Sequence, residues 1–288
     1  MGWDPGLGYD LIHSRNPLRH SHAPVMRVFD FNSAIVRTPG RSVVNGLTAT
    51  PGPAPVFETI LAEHRSYIAA LQSAGVRVTV LDPLEPFPDS IFVEDPALVF
   101  PQAALLLRPG APTRIAESAQ LTPTLTARFP KVLELTDGYA DGGDILVTPR
   151  IVLIGLSART DDVGAAALRD LLRSIGLASE IVRVPAGTLH LKTDCSLVDE
   201  ETILATRALA SSGLLAGFRV LVLPEEERAA ANALRVNDVL FIRSGCPRTL
   251  EMLERHGSKV LPLSVSEIGK IDAGLSCMSL RWFDPLAG

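Results

Sequence analysis

Short apolar runs of strand length alternate along this chain with amphipathic helical stretches, and that alternation limits the possible folds more than any other feature. Ala34–Arg37 reads as a first strand, broken at Thr38-Pro39-Gly40. Pro55–Ser73 carries Phe57, Ile60, Leu61, Ile68 and Leu71 at helical spacing and stops at Gly75, as helices commonly do. Arg77–Leu81 alternates like a half-buried strand, and Ala97–Phe100 with Ala103–Leu107 predicts a strand pair around Pro101. Asp144–Val147 and Ile151–Ile154 predict a hairpin, and Val163–Leu172 a helix. Strands follow at Ile181–Val184, Thr202–Ala205, Phe218–Leu223 and Val236–Ile242. A helix over Arg248–His256 precedes the last two strands, Lys259–Pro262 and Cys277–Arg281. The cadence is strand, strand, helix, strand, with no low-complexity linker or compositional break after Ala34. One mixed α/β domain is the economical reading.

The chain has 288 residues, is 47% hydrophobic and 20% charged, and so can bury a sizeable core. A net charge of -5 gives no electrostatic footprint for nucleic acid or an anionic membrane surface. No run approaches 18 apolar residues, so no transmembrane helix is expected. The three cysteines, Cys195, Cys246 and Cys277, fit neither a disulfide framework nor a CxxC zinc site. They point to a reducing, cytoplasmic setting. Residues 1–25 lack the apolar core of a secretory signal and read as a disordered extension, with the compact domain, 26–288, following.

Four segments concentrate chemistry-bearing side chains. Phe87 to Pro96 places Asp89, Glu94 and Asp95 around a β-branched and aromatic centre. As an extended strand it would put Asp89, Ile91, Val93 and Asp95 on one face and Glu94 on the other. Nothing basic lies beside these acids in sequence, and a buried carboxylate needs a cation or a shifted pKa. Asp141-Gly142-Gly143-Asp144 pairs glycines, which allow close backbone approach, with acids able to orient an imidazole. His190 sits between Leu189 and Leu191, as a core histidine or as a general acid/base whose unperturbed pKa is about 6.5. Gly274-Leu275-Ser276 leads into Cys277, either an inert buried thiol or a nucleophile where a loop meets a sheet end.

Read together, these segments resemble the dimethylarginine dimethylaminohydrolase family of the guanidino-group-modifying, or pentein, superfamily. The resemblance runs from about Ala34 to Trp282. It is carried by Asn45-Gly46-Leu47-Thr48, Phe87 to Pro96, Arg108-Pro109-Gly110, Gly142-Gly143-Asp144, Ser157-Ala158-Arg159-Thr160, His190-Leu191-Lys192-Thr193 and Ser276-Cys277-Met278-Ser279-Leu280-Arg281. It implies a β/α propeller of five ββαβ units with pseudo-fivefold symmetry. It also implies hydrolysis of free methylated arginine to citrulline with no metal or organic cofactor.

By position, Cys277 is then the nucleophile, His190 the general acid/base and Asp141 the carboxylate that orients it. Asp89, Glu94 and Asp95 match the segment that grips the guanidinium. Arg114 and Arg159 match the pair that clamps the α-carboxylate. Leu47 falls in the lid loop and Ile271 in the loop before the nucleophile, where backbone carbonyls hold the α-amino group. The implied partner is a small molecule, with no nucleic acid and no membrane; monomer and homodimer both stay open. An arginine or agmatine deiminase, or a silent sensor of arginine analogues, would use much of the same constellation.

Overall fold

The computed structural model describes Met1, residues 27–49 and residues 52–286. The expected disordered stretch over 1–25 lies outside these residues, Met1 apart. The first unit comprises β1 (Ser33–Arg37), α1 (Phe57–Ser73) and β2 (Arg77–Leu81). The second holds β3 (Ala97–Phe100), β4 (Ala103–Leu106), α2 (Thr122–Thr126) and β5 (Val132–Glu134). Next come β6 (Ile145–Val147), β7 (Val152–Leu156), α3 (Asp162–Ser174) and β8 (Ser179–Arg183). The fourth unit is β9 (Cys195–Leu197), β10 (Thr202–Ala205), α4 (Arg207–Ala210) and β11 (Arg219–Val222). The fifth is β12 (Leu234–Val236), β13 (Val239–Arg243), α5 (Pro247–Arg255) and β14 (Lys259–Leu263), after which β15 (Leu280–Trp282) ends the chain's regular structure.

Among the described residues these strands form five sheets of three, ordered β15-β1-β2, β3-β4-β5, β6-β7-β8, β9-β10-β11 and β12-β13-β14. In every sheet the middle strand pairs antiparallel with one neighbour and parallel with the other. The parallel pair is joined through helical structure, as parallel strands require. The chain's last strand supplies the antiparallel neighbour of its first, so the series closes on itself.

Burial grades across each sheet. β1, β4 and β10 are buried along their whole length, whereas the parallel outer strands β2, β11 and β14 are largely half-exposed or exposed. The middle strands therefore supply much of the apolar core. Removing such aliphatic surface from water stabilises by about 25 cal/mol per Å2. Sharp turns punctuate the units: Gly75 and Gly176, at φ +87° and +83°, follow α1 and α3.

Three expectations are corrected. Val236–Ile242 is two strands, not one, because Asn237 turns the chain at φ 53° and its side chain bonds Phe31 and Ala74. Phe87 to Pro96 is a chain of turns, with Ser90, Phe92 and Asp95 amides bonded to carbonyls three residues back. Cys277 precedes the last strand instead of starting it.

Candidate active site

Cys277, His190, Asp89, Asp95, Arg114, Arg159, Leu47 and Ile271 all line one cavity of about 40 Å3, together with Phe92, Leu189, Asp272 and Ala273. Residues from seven stretches of chain thus converge on one small space.

His190 is fixed from below. Its Nε2 lies 3.0 Å from Asp141 Oδ2, and Asp141, fully buried, also accepts from the Gly110 amide through Oδ1 at 2.7 Å. The paired glycines make room for this: a Cβ on Gly143 would lie 2.8 Å from the imidazole ring, and one on Gly142 would lie 1.9 Å from the Glu94 carbonyl oxygen. Only glycine allows the backbone so near. Burial opposes charging the imidazole, but the Asp141 hydrogen bond and the fields of Asp95, Asp144 and Asp141 prevail and raise His190 to about 9. The ring is an imidazolium at neutral pH.

Cys277 goes the other way. Burial, with Glu94 and Asp95 nearby, pushes its thiol up to about 12. The resting pair is therefore thiol and imidazolium, not thiolate and imidazole. Asp95 accepts from the Gly143 amide at 3.0 Å and is ion-paired with Arg114. Burial works against its ionisation, yet Arg114 and His190 hold it below the usual carboxylate range. Asp89, raised by burial, accepts from the Leu47 amide at 2.9 Å, so the loop over the cavity is pinned to a carboxylate inside it. Asp272, which the sequence reading did not single out, does the same for the Ala49 amide. Its signal was slight: an acid next to Ile271, held at φ 55°.

Two candidates are placed differently from expectation. Glu94 does not join the cavity: its carboxylate is held by Lys192 at 2.6 Å, Arg281 at 3.0 Å and Ser276 at 2.8 Å. Turn geometry separates it from Asp95, its neighbour in sequence. Arg114 stands in the wall, but its donors are committed to Asp95, Glu117 and the carbonyls of Asp89 and Phe92. The acids of the 87–96 segment thus have cations after all, supplied from Arg114, Lys192 and Arg281. Arg159 makes no ion pair or side-chain hydrogen bond among the described residues, and so keeps its fork for a ligand anion.

Asp144 ties the site together. Fully buried, it accepts from the Leu191 amide beside His190 at 2.9 Å, and from Ser157 and Thr160, which bracket Arg159, at 2.6 and 2.7 Å. The donor atoms of Asp95, Asp141 and His190 lie within 4.8 Å of one another, a spacing a metal ion could span. A protonated imidazole and an ion-paired carboxylate make that set fitter for proton transfer than for ligation.

The arginine deiminase family model matches residues 83–240. An N(G),N(G)-dimethylarginine dimethylaminohydrolase from Pseudomonas aeruginosa is 39% identical over 254 residues, which is 88% of this chain and all of that protein. A Streptomyces coelicolor protein of the same name is 30% identical over 251 residues, 86% of this chain and 96% of its own. A solved structure of the Pseudomonas aeruginosa enzyme, a cysteine-to-serine mutant complexed with citrulline, superposes with a TM-score of 0.85 over 88% of this chain and all of that one. This chain belongs to the dimethylarginine dimethylaminohydrolase family, and residues 83–240 also match the arginine deiminase family model.

Proposed function

We propose that this protein hydrolyses free Nω-methylated arginine to citrulline, releasing methylamine or dimethylamine through a covalent Cys277 intermediate. The observation that carries it is the convergence of Cys277, His190, Asp89, Asp95 and Arg159 on one cavity. A planar cation with a carboxylate tail matches two acids at one end and a guanidinium fork at the other. The Pseudomonas aeruginosa relative with citrulline bound supports the same product.

The pKa values make the substrate part of the machinery. With the thiol at about 12 and the imidazole already protonated, the free protein has neither nucleophile nor base. A guanidinium about 4 Å from the sulfur, at an effective dielectric near 20, favours thiolate by roughly 4 kcal/mol, about a thousandfold in population. As the cation docks, the thiol proton leaves to solvent, His190 being already protonated, and the thiolate attacks the guanidinium carbon. The carbon–nitrogen bond to the methylated nitrogen breaks as His190 passes its proton to the departing amine. His190, now neutral, takes a proton from water, whose oxygen attacks the thiouronium carbon. Collapse breaks the carbon–sulfur bond and frees citrulline, while the sulfur regains a proton as the adduct's hydroxyl loses one. Asp141 holds the imidazole through both transfers, and Asp89 and Asp95 keep positive charge on the carbon. Leu47 and Ile271 border the place where an α-amino group would sit, Arg114 holds Asp95 from the wall and adds positive charge on the side that meets the substrate carboxylate, and Glu94 acts on the site from behind Cys277.

The 40–49 loop is tied to Asp89 and Asp272 at the edge of this cavity, and its release from those carboxylates widens the way in for substrate. The five sheets are arranged as blades of a propeller about a pseudo-fivefold axis, and residues 26–288 act as one catalytic domain. The three cysteines are free, which fits a cytoplasmic setting, and no helix among the described residues is long and apolar enough to cross a membrane.

Parallel assays with asymmetric dimethylarginine, monomethylarginine, arginine and agmatine, read by ureido colour development, test the proposal. Fastest turnover of the methylated substrates is expected. Preference for plain arginine would favour the second reading, a deiminase, for which the family-model match speaks.

A further inference from the structure

A second and larger cavity, of about 370 Å3, lies behind the catalytic one and shares none of its lining residues. Its walls are apolar, built from side chains such as Phe29, Leu98, Phe100, Leu146, Leu234 and Trp282. Its floor is not. There Lys192 and Arg281 both pair with the single carboxylate of Glu94, leaving two largely enclosed cations against one anion. The Glu94 oxygens are fully engaged, the second one accepting from Ser276.

The unsatisfied groups of this floor are donors. Arg281 Nε–H and the Ser196 hydroxyl, both buried and both on residues lining the cavity, have no hydrogen-bond partner among the described residues. The Lys192 ammonium, with three donors, makes one ion pair among the described residues, to Glu94. Burying an unmatched positive charge and orphaned donors is costly unless an acceptor meets them. A cavity of this size with apolar walls and a few convergent polar groups is the usual form of a small-molecule site.

We propose that this cavity binds a monocarboxylate with an apolar chain, its head on Lys192, Arg281 and Ser196 and its chain along the Phe29, Leu98 and Trp282 walls. One negative charge balances the floor, and a carboxylate accepts every donor left over. The site abuts the chemistry without entering it. The Glu94 amide donates to the Cys277 carbonyl oxygen at 3.1 Å, and Lys192 is two residues from His190. The proposal stands whether or not methylarginine is the substrate at the other cavity.

Calorimetric titration of the full-length protein with decanoate, and with decan-1-ol as a head-group control, tests it. Saturable one-to-one binding of decanoate is expected, with decan-1-ol weaker by about tenfold or more. Val147→Trp, at a half-buried wall position, should weaken decanoate by about tenfold by filling the space, and Ser196→Ala by severalfold by removing a donor, with thermal midpoints near that of the unaltered protein. Absence of saturable binding, equal affinity for acid and alcohol, or affinity unmoved by Ser196→Ala and by any folded Val147→Trp protein would each overturn the proposal.

Discussion

Cys195 and Cys277 are both pushed up to about 12 by burial, and neither is ionised at rest. Acids deepen the effect in each case, Asp194 at Cys195 and Glu94 with Asp95 at Cys277. By pKa alone the two thiols are equivalent. What separates them is what each faces. Cys195 lies on β9 among Leu191, Leu197, Ile203 and other apolar side chains, its sulfur 3.4 Å from the Leu191 carbonyl oxygen. Cys277 opens on a cavity with a protonated imidazole, three carboxylates and an uncommitted guanidinium. A depressed thiol is therefore not the mark of this nucleophile; a place for a cation beside it is.

The largest test of that contrast is Cys277→Ala, which should remove citrulline formation down to the assay floor. Residual turnover above about one part in ten thousand would mean that water, not sulfur, attacks the substrate. Asp141→Asn comes next. It keeps the shape but loses the charge that holds the imidazolium, and turnover should fall by about two to four orders of magnitude. Turnover within a few fold of normal would transfer the positioning role to Asp144.

A pH experiment addresses the difference between resting and occupied thiol. Alkylation of Cys277 in the free protein should stay slow until strongly alkaline pH, and an unreactive arginine analogue small enough to leave the sulfur accessible should accelerate it, by about a thousandfold at most. Equal rates with and without analogue would sink substrate-driven ionisation. The companion effect is on turnover. His190 must carry its proton into the reaction while Cys277 must lose one, so turnover should pass through a maximum near pH 9, declining above it as the imidazole deprotonates and below it as the thiol regains its proton. The stability sign follows the same way: a histidine raised from about 6.5 to about 9 contributes stability fully below pH 6.5, and that contribution is lost as pH climbs through 9. A thermal midpoint rising between pH 6.5 and 9 would contradict the raised value.

The contrast was only half legible in the sequence. Strand runs such as Arg77–Leu81 and Thr202–Ala205 coincide with the strands found, because local β-branched alternation is a local property. The residues brought to the cavity were identifiable as motifs, since short acid, histidine and cysteine segments keep their spacing. Direction was not legible. Glu94 and Asp95 are adjacent, yet a turn sends one carboxylate to Lys192 and Arg281 and the other to Arg114. An extended reading of that segment gives the two acids opposite faces for the wrong reason and offers no partners. The segment holding α2 and its flanking turns was missed too: Pro112, Thr122, Pro123 and Thr126 give it weak helical propensity, and burial of Leu121 and Leu125 against the sheet stabilises it instead. Glu117, the second carboxylate on Arg114, was hidden for the same reason.

Asp144→Asn tests how far positioning extends behind the nucleophile's partners. The amide oxygen can still accept from Leu191, while Ser157 and Thr160 must rotate their hydroxyls to meet an NH2. A loss of about tenfold in kcat/KM is expected, shared between a higher KM through Arg159 and a lower kcat through His190. A change confined to thermal stability would reduce Asp144 to a structural role.

The smallest effect should come from Cys195→Ala. The substitution removes one sulfur from a close-packed layer, at a cost of about 1 kcal/mol, and deletes a weak bond to the Leu191 carbonyl oxygen. Because Leu191 is also held through its amide by Asp144, the His190 loop keeps its stronger anchor. Turnover within about twofold of normal is expected, alongside a thermal midpoint lower by a few degrees. A tenfold fall in kcat with an intact fold would show that the buried thiol supports the imidazole through Leu191, and that the two cysteines differ in distance from the chemistry more than in kind.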